Sequence, residues 1–256
     1  MAAPVLRPLS TGEVLDTSFG LYRSLFIPLV IVAIVCRSVP DVLGIYLQQL
    51  SGTSPMAIFD NWPLLLLQLA LAVLLNNVGV AASTLIVSGA YLGEPTTANN
   101  ALPRAFRLIG PLVLLSLLSS ISIFIGFLAL FVPGVILFSG LVLATAVLVL
   151  EQPIGVTASM SRSWELTKGF RFKVLVSVFV AALLFVVPTM IVTVLAAIGS
   201  LAGGWSPLVS QILSVVLQIF VYPLVYVVIT VLYYDLRVRK EGFDLELLAT
   251  ATQPGT

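Results

Sequence analysis

The chain has 256 residues, of which 59% are hydrophobic and only 9% charged, against roughly 25% charged in ordinary soluble domains. So few charges cannot clothe a soluble surface, and lipid is the expected solvent. The net charge of +1 makes no case for nucleic acid, the absence of histidine removes the commonest general base and metal ligand, and the single cysteine, Cys36, excludes an internal disulfide.

The first 24 residues lack an apolar core, so no cleaved leader is expected. Ser10 and Glu13 fit a capping box, with Leu9 and Val14 at the positions of a hydrophobic staple. Val14, Leu15, Ser18, Phe19, Tyr22 and Leu25 recur at three- and four-residue spacing, which predicts an amphipathic helix over 10–24 at the inner interface, against headgroups or the bundle. A first span is expected over 25–47, interrupted by Arg37 and Pro40-Asp41, and a second over 62–89. A second interfacial helix follows at 96–109. Residues 111–150 form an apolar stretch too long for one crossing, and Pro133-Gly134 predicts a hairpin between spans at 111–131 and 135–150. The third interfacial helix is expected at 155–168, the last two spans at 174–198 and 208–234, and a cytoplasmic tail at 235–256. The fold class is therefore all-α: a polytopic membrane protein with six transmembrane helices and three cytoplasmic interfacial amphipathic helices, in one integral membrane domain covering 1–256.

Basic residues set the orientation. Arg7, Arg23, Arg104, Arg107, Arg162, Lys168, Arg171, Lys173, Arg237, Arg239 and Lys240 fall on one side, eleven of the twelve in the chain, and that side should be cytoplasmic with both termini. Trp62 and Trp205 suit the outer interface, and Tyr91, Tyr233 and Tyr234 the inner one. A short pattern recurs in the cytoplasmic segments. Leu15-x-x-Ser18-Phe19-x-Leu21 is matched by Leu102-x-x-Ala105-Phe106-x-Leu108 and by Met160-x-x-Ser163-Trp164-x-Leu166. Each copy precedes a pair of spans, so three repeats of interfacial helix plus hairpin are expected.

Three blocks carry a family resemblance. Residues 6–23 (LRPLSTGEVLDTSFGLYR), 161–175 (SRSWELTKGFRFKVL) and 233–248 (YYDLRVRKEGFDLELL) resemble segments of the membrane domain of the glycerophosphoryl diester phosphodiesterase family and related bacterial integral membrane proteins. The resemblance implies a stand-alone membrane module of the bacterial cytoplasmic (inner) membrane in a lipid-related setting. It carries over no catalytic residue, because hydrolysis in that family belongs to a separate barrel domain that uses histidine and metal-binding carboxylates.

Arg37 and Asp41 are the ionisable residues expected deep in a span, one helical turn apart and able to neutralise one another. They read either as a structural pair reached by water or as a solute or proton path. Asn76 and Asn77, with Gln68, Gly79 and Ser83 nearby, fit interhelical hydrogen bonding and close packing, or else a polar path. Gln211 and Gln218 share a face of the last span and read the same way. Arg23, Arg107, Trp164 and Arg171 are expected at the cytoplasmic interface, and Glu165 is expected to pair with Lys168. Glu13, Asp16, Glu94, Glu151 and Glu165 can in principle gather around a cation, but basic neighbours argue against it. Catalytic motifs are absent, and neither a cofactor nor a metal is expected. The first expectation is a non-enzymatic scaffold, assembly or regulatory module; the alternative is a small transporter or channel-like subunit with a polar path through the first two spans. Its partners are expected to be membrane lipids, with a protein partner or a second copy of the chain also allowed.

Overall fold

A computed structural model describes residues 7–51, 60–94, 96–201 and 206–243. Among them the chain is helical without a strand: α1 (Thr11–Ser24), α2 (Phe26–Ser51), α3 (Trp62–Leu92), α4 (Ala98–Arg107), α5 (Ile109–Ala129), α6 (Phe131–Leu141), α7 (Ala144–Leu150), α8 (Val156–Thr167), α9 (Arg171–Leu201) and α10 (Pro207–Glu241). Six stretches are long and apolar enough to cross a membrane: Phe26–Leu50, Trp62–Leu92, Ile109–Ala129, Phe131–Leu150, Arg171–Gly199 and Leu208–Glu241. The chain is an all-α, multi-pass membrane protein.

Three features differ from the expected boundaries. The turn between the third and fourth spans falls at Leu130, whose backbone is extended, and not at Pro133-Gly134. Pro133 instead occupies the first turn of α6, where a missing N–H costs no helical bond. Gly134 meets the Phe127 ring and Gly126 meets Leu137, so the two glycines let the arms of this hairpin close together. The fourth span is also broken, at Val142-Leu143. Its cause lies on α8: the Ser163 hydroxyl donates to the Gly140 carbonyl at 2.7 Å, the acceptor that the Ala144 N–H would use in an unbroken helix. The last helix runs on to Glu241, so residues 235–241, expected in the tail, are helical. Trp205, expected at the outer interface, lies outside the described residues, as do the ends of the first and third sequence blocks.

Burial divides the bundle lengthwise. In α3 the buried residues are Asn77, Val78 and most of the turns beyond, while Trp62, Leu66, Leu67, Leu69 and Val73 are exposed. In α10, Leu224 to Val238 supply the buried side chains, while Leu208, Val209, Ile212, Leu213, Val216 and Phe220 are exposed. The half that carries the basic residues is packed; the other half presents apolar side chains outward, as a lipid-facing surface must.

Polar side chains lock the packed end. Asp235, whose side chain is wholly buried, accepts from the Leu9 N–H at 2.7 Å and from Arg239 Nε at 3.1 Å, and is paired with Lys173. Lys173 also donates to the Leu9 carbonyl at 2.6 Å. One carboxylate thereby ties the entry of α1 to α9 and α10. The capping box forms, Ser10 accepting from the Glu13 N–H while Glu13 accepts from the Ser10 N–H at 2.7 Å. That backbone bond, with the Arg7 guanidinium next, holds the partly exposed Glu13 carboxyl at about 2 instead of 4.5. From this anchor α1 runs antiparallel along α10, since Tyr22 donates to the Phe220 carbonyl. The amphipathic helix therefore packs on the bundle. Its Ser18, like Ala105 of α4 and Ser163 of α8, has no exposed surface. A single residue joins α1 to α2 and α4 to α5, and the two joints, Leu25 and Leu108, share nearly the same backbone conformation (φ −102°, ψ 13° and φ −97°, ψ 7°).

Candidate functional site in the middle of the membrane

The antiparallel α2–α3 pair positions the site. A Cβ on Gly79 would lie 3.3 Å from Cys36 Cβ, and one on Gly44 would lie 3.3 Å from Gln68 Nε2. These close approaches hold the two helices in register and set Arg37 and Asp41 beside Asn76 and Asn77, near the centres of their spans.

All four residues line one cavity of about 490 Å³ between α2, α3 and α5, together with Cys36, Ser116 and Ser120. Convergence of this kind separates a shared site from scattered packing contacts. The Arg37–Asp41 pair is loose, with Nε–Oδ2 and Nη2–Oδ1 both 3.4 Å, where charge-assisted bonds run about 2.7–2.9 Å. The better Arg37 bond goes to Gln218 Oε1 of α10 at 2.9 Å, and its guanidinium lies 5.0 Å from the Tyr222 ring centre. Arg37 Nε and Asp41 Oδ2 are buried without a hydrogen-bond partner. Leaving such atoms unmet in low dielectric is costly. Asn77 donates to the Val73 carbonyl at 2.9 Å and to Ser116 Oγ at 3.2 Å, and Tyr226 donates to Asn76 Oδ1 at 3.4 Å.

Asp41 also borders a second cavity of about 540 Å³, where Gln48, Gln68 and Gln211 gather between α2, α3, α9 and α10. Asp41 thus borders both cavities. The site carries one positive and one negative side chain and surrounds them with amides and hydroxyls. Chemically it can bind a polar group and exchange hydrogen bonds with it, or accept a proton on Asp41.

Sequence reasoning found Arg37, Asp41, Asn76 and Asn77, and named Gln218 for its periodicity. It missed Tyr222, Tyr226 and Ser116. The run Ser116, Ser119, Ser120 and Ser122 was the available signal, an unusual density of hydroxyls for an apolar helix.

At the packed end, Arg23 and Arg107 are exposed at the ends of α1 and α4. The Arg171 guanidinium sits 3.8 Å over the Trp164 ring, which rests on Gly140. The acidic side chains do not gather. Glu13 pairs with Arg7, and Glu151 with Arg162 at 3.0 Å, while Arg162 also reaches Glu241 at 2.5 Å. Among the described residues no group of three or more metal-ligating side chains forms. The expected Glu165–Lys168 pair is absent as well; near it, Lys240 donates to the Glu165 carbonyl. Asp235, the residue that organises this end, was not singled out, because a carboxylate at the end of an apolar run reads as solvated.

No family model, curated protein or solved structure matches the chain. Fold and site together define a multi-pass α-helical membrane protein with a cavity between α2, α3 and α5 that holds an ionisable pair.

Proposed function

We propose that the protein is a small transporter or channel-like subunit in which Arg37, Asp41, Asn76 and Asn77 bind a polar solute within the membrane. One observation carries the reading: the four residues, drawn from two helices, line a single cavity at mid-span. Transporter sites concentrate near the midplane, and an ionisable pair held there is costly unless it is used. The reading is non-enzymatic, resting on a sequence without histidine and without a nucleophile–base arrangement.

Its test is solute flux into proteoliposomes. Wild type and Asp41→Asn are compared with neutral and zwitterionic solutes, among them glycine betaine and alanine, and a matched pair of empty liposomes sets the leak. Flux above the leak that Asp41→Asn abolishes supports the proposal. Flux that Asp41→Asn leaves untouched removes Asp41 from the path.

The scaffold reading has its own supporting observation. Phe19, Phe106 and Phe172 are exposed at the basic end, beside Arg23, Arg107 and Arg171. Such a rim suits anionic headgroups or a cytoplasmic partner. The proposal extends to a bacterial inner-membrane location with both termini cytoplasmic, based on the segregated basic residues. It also includes a threefold repeat of short helix plus hairpin, which the shared burial of Ser18, Ala105 and Ser163 supports. Kinship with the membrane domain of the glycerophosphoryl diester phosphodiesterase family is likewise proposed, on the three sequence blocks alone.

A further inference from the structure

The mid-span cavity has apolar walls that face outward. Leu69 and Val73 of α3 and Leu117 of α5 line it, and they are 49%, 49% and 55% exposed. Each belongs to a longer outward stripe. On α3 the stripe is Trp62, Leu66, Leu69 and Val73; on α5 it is Leu114, Leu117, Ile121, Phe124 and Leu128, all exposed and all at three- or four-residue spacing. In an apolar bundle such stripes face hydrocarbon. The polar lining is Arg37, Asp41, Asn76, Asn77 and Ser116, with the exposed Ser120 beside them. A polar floor is thus reached between two lipid-facing stripes.

Charge narrows the ligand further. One guanidinium and one carboxylate share the floor, so the site has no net charge, and the neighbouring side chains from α3, α5 and α10 are amides, hydroxyls and phenols. A ligand with net charge would bring an uncompensated charge into low dielectric. A zwitterionic head meets both partners: its anionic group suits Arg37 and its cationic group suits Asp41.

We propose that the ligand of this site is an amphiphile with a zwitterionic polar head, entering from the hydrocarbon between α3 and α5 and laying its chain along the Leu69, Val73 and Leu117 walls. The inference rests on reading the cavity as a ligand site and adds the class of ligand and its route.

The test is native mass spectrometry of the full chain released from nanodiscs containing equal phosphatidylcholine and phosphatidylglycerol, with water-soluble glycine betaine as a separate arm. A retained phosphatidylcholine, favoured over phosphatidylglycerol, is expected. Asp41→Asn should weaken its retention by about tenfold, by removing the carboxylate charge that faces the trimethylammonium group. Leu117→Trp, which fills the entrance and leaves the floor intact, should weaken it as well. Equal retention of phosphatidylglycerol overturns the zwitterion claim, and unchanged retention in Leu117→Trp overturns the lateral route. Binding of glycine betaine without phosphatidylcholine overturns the amphiphile and leaves the solute-binding proposal standing. If neither binds, both proposals fall.

Discussion

The two halves of this bundle use polar residues in opposite ways. At the basic end the buried carboxylates are met: Asp235 receives the Leu9 N–H, Arg239 and Lys173, and Glu151 receives Arg162 and the Tyr233 hydroxyl, while Arg171 Nε has no hydrogen-bond partner and its guanidinium stacks on Trp164. At mid-span the charges are only half met: Arg37 Nε and Asp41 Oδ2 face one another at a loose 3.4 Å, and neither has a hydrogen-bond partner. A saturated network specifies and rigidifies one arrangement. An unsaturated one beside a cavity leaves hydrogen-bonding capacity for something else. The same chemistry locks one half, and in the proposed reading it serves a ligand in the other.

The contrast can be broken by substitution, beginning where the effect is greatest. Asp235→Ala strands Lys173 and Arg239 at a buried position and should destabilise by about 3–5 kcal/mol, read as a fall in melting temperature in detergent. Gly140→Leu drives a side chain into the Trp164 ring and should cost about 1–3 kcal/mol in the same assay. Gly44→Ala meets only the flexible end of Gln68, in the open half, and should stay within about 0.5 kcal/mol of wild type. The cap of α1 supplies a pH arm. Because the Glu13 carboxyl is lowered from 4.5 to about 2, its support for the cap is complete above 4.5 and is lost as pH falls toward 2. An NMR titration of the Glu13 carboxyl should have its midpoint near 2, and a midpoint near 4.5 would mean that the cap is open. The smallest effect is expected for Leu69→Ala, which removes a lipid-facing side chain and leaves no internal void, so thermal stability should move by no more than about 0.5 kcal/mol.

What was readable in advance follows the physics of each feature. Spans are set by composition over about 20 residues, so six apolar stretches stand out without any contact information. The Ser10–Glu13 cap is local and was equally plain. Leu130 was not, because the turn depends on α5 and α6 closing over Gly126 and Gly134, and Pro133 is equally at home in a first helical turn. The break at Val142-Leu143 comes from a Ser163 hydroxyl that reaches the Gly140 carbonyl from 23 residues away in sequence. Polar residues inside spans announce themselves by their rarity, which is why Arg37, Asp41, Asn76 and Asn77 could be named. Their convergence depends on the α2–α3 register, and the part played by Tyr222 and Tyr226 depends on α10. Those are tertiary facts.

The most direct test removes both charges at once. Arg37→Gln combined with Asp41→Asn leaves no orphan charge, so stability should remain within about 1 kcal/mol of wild type while flux in proteoliposomes falls to the leak. A double variant that melts far below wild type yet retains its flux would show that the mid-span pair holds the fold and serves no ligand.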